Sequence, residues 1–333
     1  DVCSSDLQKN TTYSPHRILR PDGKTHYRIG KGTLFLDKNN QPWKIAGVSW
    51  DITEEIRKQR LLEVHLQTIR ILSHAHTFNE AIPKILKLIG ETFHLTAIAV
   101  WTRNDETDLL ECKEIWHKPS ANISEFKTAC FANAFAKGEP FPGQIWEEGR
   151  DFKMENILEE PTLERKNGMI AAGIQSLFGF PLRNHTDING VVEFFMDTPL
   201  GDQLHQFCLD LSDLLGPELG QFILRIESEK SIFQLASIVE FAGELIISLD
   251  LEGKITTWNR GAERMLGYLG SEMIGQPMQK ILPTDKWEKL TLALERIRQG
   301  IIVDNVEMTY LKKNGEQISV FTTISPIKNK NIV

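Results

Sequence analysis

Leu215, Leu219, Phe222, Ile226, Glu229, Phe233 and Ala236 step along the chain at spacings of four and three, the clearest heptad pattern in the sequence. That period commits "DQLHQFCLDLSDLLGPELGQFILRIESEK", from Asp202 onward, to one long helix with a single apolar seam. Its first turns are expected to pack on the domain they close. Beyond Ile226 the seam has left that domain, and a partner helix is expected to cover it. Pro217 lies inside the run; it has no backbone N–H to donate, which predicts a kink or a restart of the helix there. The helix therefore divides the chain, and the strand patterns on either side belong to separate units.

Residues 76–228 form the longest unit. A helix carries Ile82, Ile85, Leu86 and Ile89 on one side and leads to the strands "LTAIAVW" and "LLECKEIWH". A second helix is predicted over "SEFKTACFANAFAKG"; then come "FPGQIWEEG", a variable stretch to about Ala172, and the strands "SLFGFPL" and "GVVEFF". Antiparallel strands between flanking helices predict an α+β sandwich. Residues 8–53 give three strand segments, "HRILR", "THYRIGKGTLFL" and "PWKIAGVSW", punctuated by the turn signals "PDGK" and "DKNNQ". Such a small hairpin set has little core of its own, and its front half is expected upstream.

Residues 54–75 read as a helical linker. Asp51 stands where an N-cap belongs, with Glu54 three residues on as its capping-box partner, and Leu62, Leu66 and Ile69 make a short seam. Residues 229–333 alternate Leu245, Ile247 and Leu249, turn at "LEG", and pass through "RGAERMLGY" and "TDKWEKLTLALERIRQG" as helices. They end in two alternating strands through Val306, Met308 and Tyr310 and through Ile318, Val320, Thr322 and Ile324, with one further strand expected after them.

Several function classes are excluded by composition. A net charge of -7 gives no electrostatic ground for nucleic acid or an anionic membrane as partner. The longest clean apolar stretch, Leu95 to Trp101, is too short to span a bilayer. Cys112, Cys130 and Cys208 are widely spaced without a CxxC pair, which fits a reducing cytoplasm and argues against a disulfide framework or a zinc site. The fourth cysteine, Cys3, is set aside. Back-translation of "DVCSSDL" matches the end of a short-read sequencing adaptor, so residues 1–7 are expected to be a library artefact on a reading frame truncated at both ends.

The quoted residues carry a family resemblance. "RILRPDGKTHYRIGKGTLFLDKNNQPWKIAGVSWDITE" resembles the C-terminal half of a PAS domain, with the PAC-type exit signature Asp51, Ile52, Thr53. "SIFQLASIVEFAGELIISLDLEGKITTWNRGAERMLGYLGSEMIGQPMQKILP" resembles the N-terminal half of another, and the hairpins "RPDGK" and "KKNGE" correspond across the two. The middle unit resembles a GAF domain through "FPGQIWEEG", "FGFPL", "GVVEFF" and "LGQFILR". A PAS-GAF-PAS string implies a sensory and dimerising input segment of a signalling protein, in which a ligand or partner signal passes along helical linkers. The output would most often be a histidine kinase of a two-component system, less often a cyclic diguanylate cyclase or phosphodiesterase. The resemblance implies homodimerisation through the linkers, with Asp51 and Thr53 relaying the signal.

Each cofactor class would need a residue that can be sought. The cysteine of flavin-binding PAS domains and a histidine on the helix "DKWEKLTLALERIRQG" for haem are both missing, as are the neighbours of a bilin cysteine and the cyclic-GMP signature of GAF domains. No haem, flavin or bilin is expected, and no metal, His74 and His76 being two neighbours without a third ligand. An unidentified small molecule could enter a GAF pocket lined by Trp101, Trp116, Trp146 and Phe180 with Arg150 as its polar handle; plain core is the competing reading of each aromatic. The resemblance leaves one enzymatic alternative, a thiol-dependent reductase of free methionine sulfoxide using Cys112, Cys130 or Cys208. The apolar helical settings of Cys130 and Cys208 speak against it, and no catalysis is expected here.

Overall fold

The computed structural model describes residues 11–12, 15–20, 25–37, 39, 41–159, 165–184 and 187–327. The expected artefact at residues 1–7 and the turn at residues 21–24 lie outside the described residues, as does the strand expected after residue 327. The chain divides into two compact units, residues 1–227 and 228–333.

The first unit begins with a four-stranded antiparallel sheet. Strand β3 (Thr25–Leu36) pairs along one edge with β1 (Thr11–Thr12) and β2 (His16–Leu19), and along the other with β4 (Pro42–Asp51). Every residue of β4 is exposed, Trp43, Ile45, Val48 and Trp50 among them. Helix α1 (Thr53–His74) follows at once. It buries Leu61, Val64, Thr68 and Leu72, a stripe beside the expected seam, while Leu62, Leu66 and Ile69 point to solvent.

The centre of the unit is a six-stranded antiparallel sheet built from β5 (Ala97–Asn104), β6 (Leu109–His117), β7 (Ala134–Phe135), β8 (Phe152–Met154), β9 (Ser176–Arg183) and β10 (Ile188–Met196). Their order across the sheet is β7-β6-β5-β10-β9-β8. One face packs on α1, α2 (Phe78–Phe93) and α6 (Asp202–Phe241), burying Ile82, Ile85, Leu86 and Ile89 against Ile98, Val100, Phe180 and Phe194. Thr77 caps α2 by accepting from the Glu80 backbone N–H at 3.3 Å. Gly90 is required there: a Cβ would come within 2.0 Å of the Trp116 ring. The other face is covered by α3 (Ser124–Ala132), α4 (Gly143–Glu148) and α5 (Lys166–Ala171). Helix α3 is shorter than the sequence pattern predicts. It ends at Ala132 because Ala134 and Phe135 leave it to pair with Glu111 and Leu110 as β7.

Helix α6 runs unbroken through Pro217 for 40 residues, so no restart occurs. Burial of Leu211, Leu215, Leu219 and Phe222 outweighs the single backbone hydrogen bond that proline forfeits. Beyond the point where the first unit ends, Ile232, Phe233, Leu235 and Ile238 are all exposed. No helix among the described residues is long and apolar enough to cross a membrane.

The second unit is α+β as well. It contains the hairpin of β11 (Ile247–Leu249) and β12 (Ile255–Trp258), the helices α7 (Arg260–Leu266), α8 (Gly270–Met273) and α9 (Trp287–Arg298), and the hairpin of β13 (Val303–Leu311) and β14 (Gln317–Ile324). Trp258, Met273, Ile281, Leu290, Met308 and Tyr310 fill its core. Asn259 anchors the entrance: its side-chain oxygen accepts from the backbone N–H of Ala262 and of Ile246, and its NH2 donates to the carbonyls of Val239 and Glu244. All four contacts lie between 2.9 and 3.0 Å, which exhausts what an amide can make.

Candidate functional site

Alternation along β10 sends Val191, Glu193 and Phe195 to the face of the sheet that α3, α4 and α5 cover. A carboxylate in such a place must be paired, since burying it alone would be prohibitively costly. Glu193 is 0% exposed, and three N–H groups donate to it. The Arg165 guanidinium forks onto both oxygens at 2.7 and 2.8 Å, and Trp101 Nε1, from the neighbouring strand β5, donates to Oε2 at 2.7 Å. Arg165 is held in turn. Its guanidinium lies 5.0 Å from the Trp101 ring centroid and 5.5 Å from that of Phe135, and it donates to the Phe141 carbonyl at 3.3 Å. Burial by itself would lower the pKa of Arg165; the Glu193 charge and hydrogen bonds override that and hold it above its ordinary value.

Arg165 reaches this position from the N-cap of α5, a helix that docks on α3 through Gly168. A Cβ on that glycine would meet the Phe126 backbone at 2.7 Å. The assembled group has no free base and no nucleophile. It is a neutralised, hydrogen-bonded cluster buried among the apolar side chains of that face.

The five pocket candidates from the sequence do not converge. Trp101 and Trp146 are buried on the Arg165 face, whereas Phe180 and Trp116 belong to the opposite, apolar core. Arg150 is on neither: it is exposed, pairs with Glu148 at 2.7 Å, and borders a surface cleft of about 280 Å³ with Asp151, Arg183 and Ser212. The group that does converge, Arg165 and Glu193, was not singled out by the sequence. Glu193 left a readable signal as the lone charge inside "GVVEFFM", at a position whose neighbours two residues away face the core. Arg165 left none, because it comes from the variable stretch.

All three described cysteines are free and buried. Burial pushes the Cys208 thiol up to about 12. It pushes Cys130 to about 11 although Arg165, with a nitrogen 3.5 Å from the sulfur, pulls the other way. Cys112 is driven higher still by burial and by Cys130. His74 and His76 are exposed, and His74 Nδ1 lies 2.9 Å from its own helix's Arg70 carbonyl.

At the exit of the first sheet, Asp51 is not the N-cap of α1 and Glu54 does not close a box with it. Asp51 is the last residue of β4, the capping position falls on Ile52, and no side chain caps the helix. Asp51 instead accepts from the Thr53 backbone N–H at 2.9 Å and from the Thr53 hydroxyl, with His26 Nδ1 2.7 Å from its second oxygen. The bonds from Thr53, then that with His26, hold the Asp51 carboxyl well below the usual carboxylate range. The Tyr27 N–H donates to Thr53 Oγ1 at 2.9 Å, and the Ile52 N–H to the Tyr27 carbonyl at 2.8 Å. Strand β3 and the start of α1 are thereby stitched together on both sides of Ile52.

Residues 243–333 match the family model described as PAS domain. No curated protein matches the chain. Among solved structures, the chain is similar to a GAF domain from A. Aeolicus crystallised in an inactive state, at 20% identity and a TM-score of 0.41, over 51% of this chain and 99% of that one. It is similar to the free methionine-R-sulfoxide reductase of Neisseria meningitidis in complex with its substrate, at 16% identity and 0.36, over 47% and 86%. It is also similar to a PAS domain from Colwellia psychrerythraea, at 27% identity and 0.28, over 30% and 85%.

Proposed function

We propose that this chain is a sensory and dimerising segment of a cytoplasmic signalling protein, with a GAF-type middle unit between a partial and a fuller PAS-type unit. The observation that carries the reading is α6. One helix closes the six-stranded sheet with Leu211, Leu215 and Leu219 and then continues, with Phe233 and its neighbours exposed, to the start of the PAS domain. A seam apolar in sequence and uncovered in the single chain is what a second copy of the same helix would cover. Two helices so paired have discrete registers, which a small change at either end can bias. Asp51 and Thr53 fill the corresponding place at the first exit as relay residues. The output fitted to such a segment is a histidine kinase, with cyclic diguanylate turnover as the alternative.

Thiol-dependent sulfoxide reduction gains no support, because it needs an accessible thiolate and the three cysteines are buried with raised pKa values. A cross-linking experiment tests the dimer. Under mild oxidation, Phe233→Cys in the full chain is expected to give a disulfide-linked dimer, and Ser231→Cys, two residues round the helix, is not. A chain that sediments as a monomer and cross-links at neither position would overturn the reading.

A further inference from the structure

The start of α1 forms one wall of a cleft of about 210 Å³ within the first unit. Its floor is apolar, made by Ile56, Phe93, Leu204 and Phe207, and its rim carries Arg57 and Arg60. No carboxylate lines it. The two arginines are committed unequally. Arg57 is held by Asp210 at 2.6 Å and Glu54 at 3.6 Å through its terminal nitrogens, yet its Nε is buried and has no acceptor among the described residues. Arg60 donates to the Tyr27 hydroxyl at 3.1 Å and lies 5.4 Å from the centroid of that ring, with no carboxylate within ion-pairing distance among the described residues. A floor that favours hydrocarbon, a rim guanidinium without a carboxylate partner among the described residues, and an absence of lining anions point to one chemistry.

We propose that this cleft binds a small amphipathic anion, a compound with a short apolar body and a single carboxylate or similar anionic head. The head exchanges with the Tyr27 hydroxyl at Arg60 and the body lies on Phe93 and Phe207. The cleft is smaller than the roughly 300 Å³ at which drug-sized sites begin, so the body must be short. Tyr27 and Thr53 line the cleft and also belong to the hydrogen-bond set that joins β3 to α1 through Asp51. An occupant therefore touches the junction itself, away from the Arg165 face of the sheet.

Sodium octanoate is the probe, titrated calorimetrically into the full chain against 1-octanol. Octanoate is expected to bind saturably, at one per chain and at least tenfold more tightly than octanol. Arg60→Gln, a change at an exposed position that leaves the circular dichroism unaltered, is expected to weaken octanoate at least tenfold and octanol not at all. Hydrogen exchange should slow at residues 53–60 when octanoate is added. Absence of saturable octanoate binding, equal binding of octanol, or octanoate binding that Arg60→Gln leaves unchanged would each overturn the assignment. None of these outcomes bears on the dimer, which the Phe233→Cys cross-link tests separately.

Discussion

The two faces of the six-stranded sheet solve the same packing problem differently. One face holds no buried charge and is filled almost wholly by apolar side chains, Ile82, Ile85, Leu86, Phe180 and Phe194 among them, with Thr68 of α1 as a buried polar exception. The other places an arginine and a glutamate at 1% and 0% exposure in the midst of Trp101, Phe135 and Phe195. A buried ion pair is a poor source of net stability, because desolvation consumes most of the attraction. What it supplies is a tie between elements: Arg165, at the N-cap of α5, is bonded through both terminal nitrogens to Glu193 of β10. The apolar face braces the unit, and the polar face ties one short helix to the sheet.

The largest effect should come from splitting the pair. Arg165→Met or Glu193→Gln alone is expected to cost about 3–5 kcal/mol in urea unfolding, while Arg165→Met combined with Glu193→Leu recovers part of it, the remainder being the orphaned Trp101 Nε1–H. If each single change costs under about 1 kcal/mol, the polar face is not built around this pair. A second difference is chemical. With Cys130 raised from its ordinary 9.0 to about 11 by burial, its thiolate fraction at pH 8 falls by about 100-fold, and alkylation followed by mass spectrometry should be slower than in urea by at least that factor, since the buried sulfur is also shielded from the reagent. The sign for stability follows from the same shift. The unfolded thiol ionises near 9.0 and the folded one only near 11, so this contribution is complete below pH 9 and is lost as pH rises towards 11.

Smaller effects belong to the apolar face. Gly90→Ala drives a methyl to within 2.0 Å of the Trp116 ring, and the overpacking should cost about 1–3 kcal/mol despite the better helix propensity of alanine. Ile85→Val removes one methylene from a fully buried position and should cost about 0.5–1.5 kcal/mol in urea unfolding.

Periodicity made the apolar face legible from sequence. Ile82, Ile85, Leu86 and Ile89 at helical spacing, with "LTAIAVW" and "GVVEFF" as strands, specify which residues meet. The polar face was half legible, since Glu193 breaks an apolar strand while its partner comes from 28 residues upstream, without a periodic pattern to announce it. Asp51 shows a different limit. Its spacing to Glu54 is that of a capping box, but the same side chain turns back on Thr53 and meets His26, 25 residues away, a contact that local spacing does not announce. At α1, helical spacing marked Leu62, Leu66 and Ile69 as one stripe, and the neighbouring stripe through Leu61 and Val64 is the one that the unit buries.

Asn259 carries a consequence for what mutation can do at the entrance of the PAS domain. Its oxygen faces two donors and its nitrogen two acceptors, so aspartate would set a second oxygen against the carbonyls of Val239 and Glu244, and serine or alanine would orphan at least two backbone groups. Glutamine carries the same head on a longer stem and cannot reach all four partners from one backbone position. An asparagine codon offers no single-base route to an equivalent side chain. Substitution there breaks the joint between the helix end, the following loop and the start of α7 all at once.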